Sequence, residues 1–352
     1  MDAESLAKII KDNKIDVKST KPVPFTGLYD STRIFKVDRE DLTKNLYIID
    51  TEQGMKIACH PHIIGDRLDY LTLHAALETE RTLREILNID YNNVVIEHVL
   101  RAGPGYNLHR AISIRYRLIE YQTKHMIEND VPMVYVRPKY VEQSYRNHTA
   151  RELKLVYKDF SQMPKNKDIV LIKPDTEATG MSGKLSIEEA VMESSKMGSK
   201  ITDVVLYGFM AAPGIKLLDA IARRHNIKLH AFAIGNITEL ASNNYDMTLY
   251  GVDESHYQKT GEIKKLGSIV DRNTLKRYLP SFVPGSDQPG NWSSRQSRLF
   301  TGELYEDGEI EEHIKKSVEL IEHLRKISNY EDWQDEIASR ELVRLRKTLK
   351  IR

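Results

Sequence analysis

The sequence predicts an α/β fold built on a doubly wound, mainly parallel sheet, with N- and C-terminal extensions. Three observations carry that expectation. From residue 93 to 234, apolar strand-like runs alternate with amphipathic helical stretches, the pattern of repeated strand–helix–strand units. The run Ile169-Val170-Leu171-Ile172 is uninterrupted and apolar, as in a strand covered on both faces. Glycine- and hydroxyl-rich breaks fall where a strand hands over to a helix, the place where such sheets bind ligands.

Taken in order, the first 60 residues hold a short amphipathic start and then Lys21-Pro22-Val23-Pro24, whose prolines disfavour helix. Leu46 to Ile49 looks like a strand. Residues 67–88 read as a helix rich in good formers, among them Leu77, Leu83 and Leu87. Asn93 to Leu100 reads as a buried strand, broken by Gly103-Pro104-Gly105. A helix follows with Leu108, Ala111, Ile112, Leu118 and Ile119 on one face. Met133 to Val136 and Ile169 to Ile172 are the next strands, and a helix carrying Ile187, Ala190, Val191 and Met197 comes after the second. Val204 to Met210, Ile215 to Arg224 and Leu229 to Ile234 continue as strand, helix and strand. From 256 to 305 the prolines and glycines imply long loops. The chain then returns to helix, with a stripe of Ile310, Ile314, Val318, Ile321 and Leu324 and a basic helix from Glu336. This divides the chain into an N-terminal extension over 1–59, a core over 60–255 and a C-terminal extension over 256–352. The extensions are expected to serve as a cap or an oligomer contact, the stripe buried against the core or in a homodimer.

Composition removes several function classes. At 352 residues the chain has room for roughly two domains at about 150 residues each. The 52 lysines and arginines nearly cancel the 51 acids, leaving +1, which argues against a general nucleic-acid binder but leaves room for a local basic pocket. Cys59 is the sole cysteine, so an intramolecular disulfide and a cysteine-built zinc site are both excluded. No apolar run reaches the roughly 18 residues of a membrane span, and the start shows no secretory pattern. A soluble cytoplasmic protein without nucleic-acid or membrane partners is expected.

Three loops could carry chemistry. After Ile172 the chain reads Lys173-Pro174-Asp175-Thr176-Glu177-Ala178-Thr179-Gly180-Met181-Ser182-Gly183-Lys184. Small residues and hydroxyls at a strand-to-helix junction let backbone amides approach an anion, and the helix N-terminus adds its positive field. Asp175 could face sugar hydroxyls of the same ligand. An ordinary turn with a serine cap accounts for the local pattern equally well. Gly183-Lys184 resembles the end of a P-loop, but Ala178 replaces its first glycine and Leu185 its metal-binding hydroxyl. The second loop, Leu100-Arg101-Ala102-Gly103, presents a guanidinium beside small residues, suited to a diphosphate. The third is Tyr145-Arg146-Asn147, in a polar, basic stretch.

Together these loops resemble the uracil phosphoribosyltransferases of the type I phosphoribosyltransferase fold. Leu100 to Gly103 matches that family's Leu-Arg-Ala-Gly diphosphate loop. Ala178-Thr179-Gly180-Met181-Ser182 matches its Ala-Thr-Gly-x-Ser loop for ribose 5-phosphate, and Tyr145-Arg146-Asn147 its Tyr-Arg-Asn segment. Ala211-Ala212-Pro213-Gly214 follows its Ala-Ala-Pro-Glu-Gly, without the glutamate. His60-Pro61 before an arginine-rich helix looks like the family's opening. The likeness spans residues 60–255. The nucleobase segment, Pro-Gly-Leu-Gly-Asp-Ala-Gly-Asp in the family, falls by spacing on Met247 to Glu254. A better literal match, Val283-Pro284-Gly285-Ser286-Asp287, lies further along and requires an insertion.

The resemblance implies a magnesium-dependent enzyme of nucleotide salvage, a homodimer, that moves ribose 5-phosphate from phosphoribosyl diphosphate to uracil or a related base. It implies Arg101, Arg146 and Asp175 as catalytic residues. Thr176, Glu177, Ala178, Thr179, Gly180, Met181, Ser182, Met247 and Asp253 would bind substrate, and Asp175 and Asp253 the metal. The altered base segment and the two extensions leave a second class open: a non-catalytic protein that binds phosphoribosyl diphosphate or a nucleotide on the same fold.

Overall fold

The computed structural model describes residues 2–89, 91–124, 130–140 and 153–351. In chain order it forms α1 (Ala3–Asp12), β1 (Ile15–Asp16), β2 (Thr20–Val23), β3 (Arg33–Val37), β4 (Asn45–Asp50), α2 (Glu52–Cys59) and α3 (Gly65–Leu87). The alternating region supplies β5 (Val94–Val99), α4 (Leu108–Thr123), β6 (Met133–Tyr140), β7 (Leu153–Asp159), β8 (Asp168–Pro174), α5 (Met181–Lys196), β9 (Lys200–Ala211), α6 (Ala212–Arg224) and β10 (Lys228–Thr238). Beyond it lie α7 (Glu254–Thr260), β11 (Ser268–Ile269), α8 (Arg272–Tyr278), β12 (Arg298–Phe300), β13 (Tyr305–Asp307), α9 (Ile310–Ile327) and α10 (Asp332–Ile351).

The sheet runs β2-β3-β4-β10-β9-β8-β5-β6-β7. Its six inner strands, from β4 to β6 in that order, are parallel. β7 and the β2–β3 pair lie antiparallel at the two edges. The parallel strands read apolar because helices cover both faces: every residue of β5 is buried. Leu68, Leu83, Leu108 and Ile112 of α3 and α4 pack on one face. Ile187, Ala190, Ile215 and Leu218 of α5 and α6 pack on the other. Leu118 of α4 lies 48% exposed instead of on the buried face, which is made by Leu108, Ala111, Ile112 and Tyr116.

The two terminal segments are woven into this architecture more closely than an appended cap. β4 adds to β10 inside the sheet, and β11 bridges β10 and β1. The α9 stripe is buried within the chain: Ile310, Ile314 and Ile321 pack with Ile337, Leu342 and Leu345 of α10 and with Val283, Val318 packs partly buried against them, and Leu324 is buried against Gly285. It is therefore no surface for pairing two copies. No helix among the described residues is long and apolar enough to cross a membrane.

Topology now fixes where a ligand belongs. From β5 the chain steps outward to β6 and later returns to the other side of β5 with β8, so the strand order reverses between β5 and β8. Loops leaving the carboxyl ends of two such strands diverge and open a crevice.

Candidate functional site

The crevice is bounded by the loop after β8. Residues 175–182 and Ala102 line a pocket whose far wall is Asn244, Tyr245, Asp287 and the loop 289–293. Of the residues expected to bind substrate, Thr176 to Ser182 all line it, together with Asp175. Two close approaches shape this loop. Gly180 sits at φ +77°, capping α5, and a Cβ there would lie 2.8 Å from the Gly214 carbonyl. At Gly208, φ is +154° and a Cβ would collide with the Asp175 carbonyl at 2.0 Å. Both positions require glycine. The Thr176 hydroxyl shares a 2.5 Å hydrogen bond with the buried Tyr106 hydroxyl, and the Tyr106 ring stacks on Trp292. The opposite wall is equally fixed. Arg295, fully buried, donates to the carbonyls of Ile57, His60, Ile63 and Pro289 at 2.9–3.1 Å, pinning the 289–296 loop to the α2–α3 junction.

Under the loop lies a charge cluster that no local sequence pattern marks. Strand alternation puts the side chains of Lys173, Asp175 and Glu177 on one face. The buried Lys173 ammonium donates to Asp175 Oδ2 at 2.9 Å and to Glu177 Oε1. Glu97 of β5 is also buried, and neither carboxylate oxygen has a hydrogen-bond partner. Burial pushes the Glu97 carboxyl up to about 7, with Lys173 pulling it back. Glu177 is raised for the same reason. Burial would lower Lys173, yet the carboxylates of Asp175, Glu177 and Glu97 outweigh it and hold the ammonium protonated. The Glu177 side chain is thus engaged by Lys173 beneath Gly183, while its backbone N–H donates to the Phe209 carbonyl and its carbonyl accepts the Ala211 N–H, each at 2.9 Å.

The remaining expected residues divide sharply. Arg101 follows β5 but does not line the pocket as its neighbour Ala102 does, and its guanidinium is paired with Glu306 of β13 at 2.6 Å. Arg146 lies outside the described residues. Met247 is a core side chain, whose backbone N–H donates to Asp287 Oδ1 at 2.8 Å. Asp253 is wholly buried and caps α7. One oxygen accepts from the Ser255 hydroxyl and the His256 N–H, the other from the hydroxyl and N–H of Ser242, at 2.7–3.0 Å. So occupied, it serves as a helix cap and does not line the pocket. In the segment Val283 to Asp287, Asp287 bridges to Thr248 and lines the pocket. Asn244, Tyr245, Asn291 and Trp292 escape a sequence reading, since nothing in their local pattern marks them.

Asp175 is the one expected metal carboxylate that lines the pocket. Its Oδ1 accepts the Thr176 N–H at 2.8 Å and its Oδ2 the Lys173 ammonium, each keeping a further lone pair. That suits a magnesium ion held mostly by substrate oxygens and water, not an all-protein cage. The Arg101–Glu306 pair gives a first prediction. Glu306→Gln frees the guanidinium and is expected to tighten diphosphate binding about two- to fivefold, the range of an exposed ion pair. Competitive binding assays on the two proteins check it.

Neither a family model nor a curated protein matches the sequence. Solved structures do. The AQ2163 protein from Aquifex aeolicus is 14% identical over 57% of this chain and 91% of its own, with a TM-score of 0.41. Adenine phosphoribosyltransferase from Trypanosoma brucei, solved with AMP, pyrophosphate and ribose-5-phosphate, is 13% identical over 54% and 83%, with a TM-score of 0.32. Orotate phosphoribosyltransferase from Mycobacterium tuberculosis, in complex with phosphoribosyl diphosphate, is 15% identical over 52% and 90%, with a TM-score of 0.27. Likeness of this extent carries no argument about activity, so the function has to be read from the chain's own residues.

Proposed function

We propose that this chain is a phosphoribosyltransferase, moving ribose 5-phosphate from phosphoribosyl diphosphate to a nitrogen of a nucleobase-like acceptor, uracil or a related base, with release of diphosphate. One observation carries the reading. The Ala178–Ser182 loop opens α5 at the carboxyl end of β8, with Asp175 beside it and Ala102, next in the chain to Arg101, lining the same pocket from across the switch point of the sheet.

The roles follow from charge. Backbone amides of the 179–182 turn, the Thr179 and Ser182 hydroxyls and the positive end of α5 suit the 5-phosphate. Asp175 faces the ribose, accepting from its hydroxyls and countering the cationic character that develops as the glycosidic bond breaks. Arg101, with Arg146 as the second cation, meets the departing diphosphate as its charge grows. Asp287, which lines the same pocket as Trp292, would accept an N–H of the acceptor. Magnesium, held by Asp175 and substrate oxygens, would neutralise the leaving diphosphate.

Two contacts favour the second reading, a binding protein without turnover. Arg101 is already neutralised by Glu306, and Asp175 by Lys173. Incubation with phosphoribosyl diphosphate, magnesium and a panel of bases, followed by assay of diphosphate, separates the two. Release that depends on one base supports transfer; binding without release under any base supports the sensor. Pairing of two copies belongs to the proposal as well, with light scattering at high micromolar concentration expected to report a dimer.

A further inference from the structure

A second constellation lies away from this pocket, where α10 meets the turn between α2 and α3. His60 ends α2, His62 follows two residues on, and Glu341 reaches them from the middle of α10. Glu341 is buried, and each of its oxygens faces a different imidazole. Oε2 is 3.3 Å from His60 Nδ1 and Oε1 2.5 Å from His62 Nδ1. The three donor atoms all lie within 4.8 Å of one another, the single such group of histidine and carboxylate ligands among the described residues. Donors bound tetrahedrally at about 2.0–2.1 Å sit roughly 3.4 Å apart, so small side-chain shifts convert this arrangement into a coordination shell. Two imidazoles and one carboxylate are also a donor set that zinc-class ions favour and that leaves a position open.

The surroundings say what fills that position. His60 and His62 line a cleft rimmed by Lys56, Arg67, Arg344 and Lys347, with Glu341 buried behind them. A divalent ion on two neutral imidazoles and one carboxylate keeps a net positive charge, and the rim adds to it through Arg67, Arg344 and Lys347, Lys56 being paired with Glu52. The charge is balanced by an anion as fourth ligand. Arg344, which approaches Glu341 Oε2 at 3.4 Å and is half exposed, can swing away to meet that anion.

We propose that His60, His62 and Glu341 form a three-ligand site for a zinc-class divalent transition ion whose fourth position opens on the basic rim and accepts an anion of the phosphate class. The site shares no residue with the Asp175 pocket, so it stands or falls independently of the transferase reading. Cobalt(II) alone is the probe, added to the full chain after chelator treatment. One equivalent is expected to give the intense visible absorption of four-coordinate cobalt, displaced by zinc and shifted by inorganic phosphate. His62→Asn and Glu341→Gln are expected to weaken cobalt binding by at least about tenfold, the loss that even outer-shell partners of metal ligands produce. Circular dichroism checks that both variants are folded. Should either not fold, proton NMR of the cobalt-loaded wild type decides the matter, since two paramagnetically shifted imidazole N–H signals are expected. Absent colour, wild-type affinity in both variants, or no shifted imidazole signals overturns the site. Colour insensitive to phosphate overturns the anionic fourth ligand.

Discussion

Replacing Lys173 by methionine is expected to lower the stability of the fold by about 3–5 kcal/mol at pH 8, the loss seen when one partner of a buried ion pair is removed. The ammonium is fully buried and is the cation bonded to both Asp175 and Glu177, with Glu97 close enough to feel its charge. Without it the carboxyl groups of Asp175, Glu177 and Glu97 are left together with no cation bonded to them, two of them fully buried. The loss should shrink at pH 5, and the sign follows from proton binding. Burial already raises Glu97 to about 7, well above its unfolded value near 4.3, and raises Glu177 in the same direction. Between those limits the folded chain holds protons that the unfolded chain has released, so stability falls as pH rises through that window. Removing the ammonium pushes the carboxyls higher and carries the decline to higher pH. Adding Glu97→Gln to Lys173→Met should recover part of the loss at pH 8. Urea unfolding at the two pH values measures this, and an equal loss at both would contradict the charge account.

The second large effect concerns turnover. Arg101→Ala is expected to slow transfer by about a hundredfold or more, roughly 3 kcal/mol, while weakening substrate binding much less, because the diphosphate charge is greatest in the transition state. Asp175→Asn should slow transfer comparably by removing the charge that faces the ribose. Its melting temperature should stay close to that of the wild type, since Glu97 and Glu177 still balance Lys173. Steady-state kinetics with the true acceptor, read as kcat against KM, check both variants. A loss confined to KM at Arg101 would place that side chain in ground-state binding only.

Much of the fold is legible in the amino-acid sequence alone. The inner strands declare themselves because both of their faces are covered, and the 178–182 loop because small and hydroxyl residues fall at a strand-to-helix junction. The β2–β3 pair does not: β2 is the edge strand, where lysine and proline are tolerated and the apolar run is lost, and Arg33 and Lys36 interrupt the run in β3 beside it. Lys173 and Glu177 read as loop residues, since a charged row under a helix has no sequence signature apart from its period of two. Asp253 misleads because acids that cap a helix and acids that hold a metal look alike in one dimension. The hydroxyls of Ser242 and Ser255 that satisfy it become neighbours only on folding. Asp287, which lines the pocket, is marked in the sequence only by its Pro-Gly-Ser-Asp context, whereas spacing points to residue 253.

The central claim is that the pocket at the β5–β8 switch point holds phosphoribosyl diphosphate. Calorimetric titration of the full chain with phosphoribosyl diphosphate in saturating magnesium tests it most directly. The account predicts one molecule bound per chain, with the heat largely lost when Gly180→Val crowds the loop against the Gly214 backbone. No binding to the wild-type chain, or binding unchanged by that substitution, would contradict it.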